Sequence, residues 1–97
     1  MDVMLEIEKY AERQRTLAKR LLGEDVPAVE DACQEARKDV LRRSRANKEP
    51  IEVFWPYLRK ATIHVCYREL RRRYREQVAR TGDPFRYVIA EAPDPAI

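Results

Sequence analysis

Apolar and polar positions along this chain recur at helical spacing, and no segment shows the two-residue alternation of a half-buried strand. The clearest pattern lies between Asp25 and Arg45. Val29, Ala32, Cys33, Ala36 and Val40 fall at i, i+3, i+4, i+7 and i+11, one narrow stripe for burial. Asp31, Gln34, Glu35 and Lys38 repeat at i, i+3, i+4 and i+7 and form a separate polar stripe. Asp25 is placed to cap this helix, Pro27 suits its first turn, and Glu30 and Asp31 favour the positive end of its dipole.

A helix upstream is predicted from about Met4 to Leu22. Leu5, Tyr10, Leu17, Leu21 and Leu22 supply its apolar positions, and Glu6, Glu8, Lys9, Arg13 and Arg20 its polar ones. The apolar spacing is loose before Leu17, and Gly23 stands where a left-handed terminal residue belongs. A third, long helix begins between Glu52 and Pro56 and ends near Arg80. Pro56 restricts the start, because a proline further in would clash with the preceding turn. At 1.5 Å per residue this helix spans roughly 35–40 Å. Phe54, Leu58, Ala61 and Val65 give one apolar row, and Ile63, Tyr67, Leu70 and Tyr74 continue it on a rotated face. Beyond Leu70 there is too little apolar surface for packing all round, so that end is expected to project into solvent or onto a partner. Ala46 to Pro50 reads as a loop. Thr81-Gly82-Asp83-Pro84 stops the long helix, and the tail through Ala92-Pro93-Asp94-Pro95 reads as a connection. The expected architecture is all-α, a compact bundle of three main helices. Its domain would cover 1–80, with 81–97 as a tail or the start of an inter-domain linker.

Composition fits this picture. Ninety-seven residues make one domain, and 44% hydrophobic, 38% charged and only 2 Gly exclude collagen-like chains and argue against a turn-dense sandwich. No apolar run approaches the roughly 18 residues of a membrane span, and the N-terminus lacks a signal-peptide pattern, so the chain reads as soluble and cytoplasmic. Two cysteines make no disulfide framework and suit a reducing compartment.

Charge placement says more than the net +3. Residues 1–40 carry 7 basic and 10 acidic side chains, whereas 59–80 carry 8 and 2. An acidic front half and one intensely basic segment suggest two different partners, the second a polyanion. Catalysis finds no footing. His64 is the only histidine, no nucleophile–base pair is suggested, and His64 and Cys66 point in different directions on a helix. Cys33 and Cys66 read as packing residues. Neither a metal nor a cofactor is expected, and the chemistry is binding. Arg59, Lys60, Arg68, Arg71, Arg72, Arg73, Arg75 and Arg80, interleaved with Tyr57, Tyr67 and Tyr74, suit phosphates, with aromatic rings available to unpaired bases. Phe54, Trp55, Asn47 and Lys48 lie just upstream. The plain alternative is a solvated basic face with Trp55 and Tyr57 in the core. The acidic stripe likewise has a plain alternative, since acids near a helix N-terminus need no function.

The order of these features carries a resemblance. Leu17-Ala18-Lys19-Arg20-Leu21-Leu22-Gly23 leads into Val29-Glu30-Asp31-Ala32-Cys33-Gln34-Glu35. Tyr57-Leu58-Arg59-Lys60-Ala61-Thr62 and Tyr67-Arg68-Glu69-Leu70-Arg71-Arg72-Arg73 then follow. From about Leu17 to Arg75 the chain resembles region 2 of bacterial RNA polymerase sigma factors, particularly the compact extracytoplasmic-function group. The resemblance implies that Asp31, Gln34, Glu35 and Lys38 lie on the helix that docks on the clamp helices of the polymerase largest subunit. It implies that the loop from Ala46 to Phe54 captures a base flipped from the non-template strand of the minus-ten element. Asn47 and Lys48 would then be polar contributors, and Phe54 and Trp55 neighbouring aromatics. Arg59, Lys60, His64, Tyr67, Arg68, Arg71, Arg72 and Arg73 would face promoter DNA. An anti-sigma protein is a further partner that the family implies.

Four departures from the family pattern bear on promoter preference more than on fold. They are His64 where Asn is usual, Arg68 where Asp is frequent, the Ala32-Cys33 pair, and Trp55-Pro56. Nothing like a second, helix-turn-helix domain fits after Arg80. The chain reads either as a fragment ending in the linker, which the tail favours, or as a short form leaving that task to a partner. Two other functions fit the same residues: a helical adaptor binding polymerase or an anti-sigma protein without promoter contact, and a non-specific basic bundle.

Overall fold

The computed structural model describes residues 2–46 and 51–82, and every regular element among them is an α-helix. Helix α1 spans Val3–Lys9, α2 Ala11–Leu22, α3 Val26–Ala46 and α4 Phe54–Thr81. The all-α expectation holds, and the boundaries of α3 and α4 fall where the capping and proline signals put them. Asp25 Oδ1 accepts from the Ala28 N–H at 3.2 Å, satisfying a donor that α3 itself leaves unpaired. Pro56 is the third residue of α4, inside the tolerated first turn. Gly82 closes α4 at φ 71°, a left-handed conformation that glycine adopts without steric cost.

The first predicted helix is two. It turns at Tyr10, whose backbone leaves helical geometry at φ −103°, ψ 10°. The Tyr10 ring lies 5.5 Å from that of Trp55 and 6.2 Å from that of Phe54, at the start of α4. The turn also delivers Ile7 to a core cluster with Val40, Phe54 and Leu58. The buried face of this region is Ile7, Gln14, Ala18 and Leu22, whereas Leu5, expected on the apolar side, is 61% exposed. Asp2 caps α1, accepting from the Met4 N–H at 3.0 Å.

Helices α3 and α4 run antiparallel. The first half of α3 packs Val29, Ala32, Cys33 and Ala36 against Val65, Cys66 and Leu70 from the second half of α4, with Ala18 and Leu22 of α2 closing the cluster. Val40, later in α3, meets Phe54 and Leu58, early in α4. All five residues of the predicted α3 stripe are buried. Small side chains let the three helices approach closely, and Ala61 joins the two clusters.

One buried polar side chain ties these helices together. Gln14 of α2 is fully buried. Its Nε2 donates to the Cys33 carbonyl of α3 and to Thr62 Oγ1 of α4, both at 3.1 Å. Its Oε1 accepts from Arg37 Nε at 2.7 Å. Thr62 in turn donates to the Leu58 carbonyl at 2.8 Å. No buried side-chain polar atom among the described residues lacks a partner, so the interior is polar at its centre without a desolvation penalty left open.

Candidate functional site

Because α3 buries one face, its opposite face is presented outward. Asp31, Gln34, Glu35 and Lys38 are all exposed, and none of them makes an ion pair among the described residues. Glu30, one position away, behaves differently: it accepts from Arg15 Nε of α2 at 2.7 Å and belongs to the bundle's own structure. That contact holds the Arg15 guanidinium above its usual range. The stripe is therefore a row of hydrogen-bonding and acidic groups uncommitted within the described fold.

On α4 the spacing of Lys60, His64, Tyr67 and Arg71 at i, i+4, i+7 and i+11 aligns them along one ridge. Lys60, His64 and Arg71 are exposed and Tyr67 is half-buried. Arg68 and Arg75 flank the ridge, also exposed, and Arg59 is exposed on the other side. The arginine run divides. Arg71 donates weakly to the Tyr67 carbonyl at 3.5 Å. Arg72 pairs with Glu69 at 2.7 Å and with Glu76, and Arg73 pairs with Glu69 at 3.1 Å and with Asp25 at 3.0 Å. Hydrogen bonding from Arg72, followed by that from Arg73, holds the Glu69 carboxyl below its usual range against the opposing effect of burial. The same pairing raises the Arg72 guanidinium. Arg72 and Arg73 thus anchor the exposed half of α4, whereas Arg71 keeps its fork for solvent.

The aromatic candidates sit elsewhere. Phe54 is 3% exposed and fills the second core cluster. Trp55 is half-buried, with the Arg13 guanidinium 4.6 Å above its ring and Tyr10 beside it. Asn47 and Lys48 lie outside the described residues.

Between α3 and α4 runs an open groove. Its upper part has a volume of about 560 Å³ and sets Asp25, Asp31 and Glu35 on one wall against Arg68, Arg72 and Arg75 on the other. Its lower part is a hollow of about 130 Å³ lined by Asp39, Val40, Arg43, Tyr57, Lys60, Ala61 and His64. Arg43 is the residue that sequence reasoning missed. A signal was present: it lies three residues beyond the buried Val40, at the edge of the stripe, where a long side chain reaches the neighbouring helix.

The described residues hold no cluster of His, Cys, Asp and Glu able to bind a metal. Both thiols are buried, and burial pushes Cys66 up to about 12. None of the described helices is long and apolar enough to cross a membrane.

Comparison with curated proteins and with solved structures gave no match. The family model for sigma-70 region 2 matches residues 7–76, well over half of the chain. In sigma factors generally, this region is a non-enzymatic domain that binds RNA polymerase and recognises the minus-ten promoter element. A helical bundle with one outward polar stripe on α3 and one cationic ridge on α4 agrees with that match, and the chain belongs to the sigma-70 region 2 family.

Proposed function

We propose that this chain acts in transcription initiation, holding core RNA polymerase through α3 and promoter DNA through α4. Asp31, Gln34, Glu35 and Lys38 would dock on the clamp helices of the largest subunit. Lys60, His64, Tyr67, Arg68 and Arg71 would lie along the non-template strand of the minus-ten element, with Arg59 at its margin. Arg72 and Arg73 would act chiefly by fixing α4. The loop after α3, with Asn47 and Lys48, would capture an unpaired base, and Trp55 would border it. Capture of unpaired bases recovers the cost of unstacking, and phosphate contacts set the register. The domain would comprise residues 1–80.

The observation that supports this reading best is that the acidic stripe and the cationic ridge stand on different helices, across a groove from one another. The acidic stripe has no ion-pair partner among the described residues. A single-partner adaptor would need only one of the two surfaces. The test is capture of core RNA polymerase by the unmodified chain and by Asp31→Ala/Glu35→Ala. Capture should fall at least tenfold in the double variant while helicity is unchanged. Equal capture by both chains would remove α3 from the polymerase interface.

A further inference from the structure

We infer that the nucleic-acid surface crosses from α4 onto α3, where Arg43, Lys60 and His64 form a seat for a backbone phosphodiester. This rests on the reading of α4 as a DNA-facing helix, but adds a residue and a site to it. The lower hollow of the groove brings together Arg43 from one helix and Tyr57, Lys60 and His64 from the other, over a floor of Val40 and Ala61. Its volume of about 130 Å³ admits a phosphate group with a bridging water, since one water occupies about 30 Å³. Among the described residues Lys60 and His64 make no ion pair.

The acid in the hollow selects among phosphates. Asp39 contacts Arg43 Nε at 3.4 Å and Arg42 at 3.5 Å, both loose pairs. The Arg43 contact with Asp39 runs through Nε, and Arg43 lines the hollow with a guanidinium whose planar fork suits phosphate oxygens. Arg43 and Lys60 set two cationic groups against the single Asp39 carboxylate that lines the hollow. A phosphodiester brings one negative charge and balances the second cation, whereas a dianionic free phosphate would overcompensate beside the Asp39 carboxylate. Tyr57 and His64, which also line the hollow, carry further hydrogen-bond donors. The hollow also continues the ridge that passes through Tyr67 to Arg71, so a strand lying on that ridge meets it without changing direction.

Arg42 supplies the control. It has the same charge, the same helix and the same acidic neighbour, but lines a separate hollow with Lys38, Leu41, Arg45 and Ala46. Binding of a labelled single-stranded oligodeoxynucleotide would be followed by anisotropy across a salt series for the unmodified chain, Arg43→Gln, Arg42→Gln and Arg71→Gln. Arg43→Gln should weaken binding about three- to tenfold at low salt and reduce the magnitude of the log–log salt slope by about 0.7, one phosphate contact on a single strand. Arg42→Gln should stay within about twofold, the scale of a loss of net charge alone. Equal losses in Arg42→Gln and Arg43→Gln would overturn the site and leave only bulk charge. A loss in Arg71→Gln with none in Arg43→Gln would overturn it while the reading of α4 stands. No binding by the unmodified chain, or no effect of Arg71→Gln, would overturn both.

Discussion

Gln14 ties α2, α3 and α4 at one point, and its amide uses both ends: two donated bonds and one accepted from Arg37. Truncation would leave a cavity and strip partners from groups that water reaches poorly. Gln14→Ala is expected to destabilise the fold by about 2–3 kcal/mol, read as a lower urea midpoint. Gln14→Glu should cost at least as much near neutrality, because it keeps the Arg37 contact but sets a carboxylate against the Cys33 carbonyl. A Gln14→Ala midpoint equal to that of the unmodified chain would show that the hub adds nothing. This residue was not legible in the sequence, because hydrophobic periodicity registers apolar side chains and treats glutamine as surface. The neighbouring stripe was legible to the residue: Val29, Ala32, Cys33, Ala36 and Val40 are all buried. Both cysteines are packing residues, as their positions implied.

At the level of elements, α3 and α4 were readable because local chemistry marks their ends: Asp25 and Pro27 for one, Pro56 and Gly82 for the other. The turn between α1 and α2 was not, since its cause is tertiary contact between Tyr10 and rings some 45 residues away. The arginine run on α4 was legible as charge but not as geometry. Glu69 sits one turn before Arg72 and Arg73 and binds both, while Asp25 reaches Arg73 from the α2–α3 connection. Partial burial and a network raise these pairs above isolated surface bridges. Because the Glu69 carboxyl is held below its usual range, its contribution is present above the unfolded value of about 4.3 and is lost as pH falls through the lower folded value. Glu69→Gln should therefore lower stability by about 1 kcal/mol near pH 7, and the gap should shrink in acid, as the pH falls below the unfolded value of about 4.3 and the carboxyl takes up its proton. Urea midpoints near neutrality and in acid check this, and a gap of equal size at both would exclude the ionised carboxylate as its source.

In the whole molecule, two charge blocks that are distant in sequence become walls of one groove. Asp31 and Glu35 face Arg68, Arg72 and Arg75, so the surface proposed for polymerase lowers the positive potential of the surface proposed for DNA. At a separation equal to the 0.15 M Debye length of about 8 Å, a carboxylate opposes a phosphate by about 0.5 kcal/mol in water, and salt screens the effect beyond that. Asp31→Asn/Glu35→Gln is therefore expected to raise the affinity of the isolated domain for non-specific duplex DNA by about two- to fivefold at low salt. The gain should vanish by about 0.5 M salt. Anisotropy titrations of both chains across that range measure it, and unchanged affinity at low salt would mean that the two walls act independently. The direction matters because the same double substitution is expected to weaken polymerase capture. A change that improves DNA binding by the free domain while impairing its loading on polymerase separates the two surfaces more sharply than either assay alone. It would also explain, in physical terms, why a chain with so basic a helix keeps acids across the groove: bound to polymerase, those acids would be occupied by the partner, and the ridge on α4 would face DNA without them.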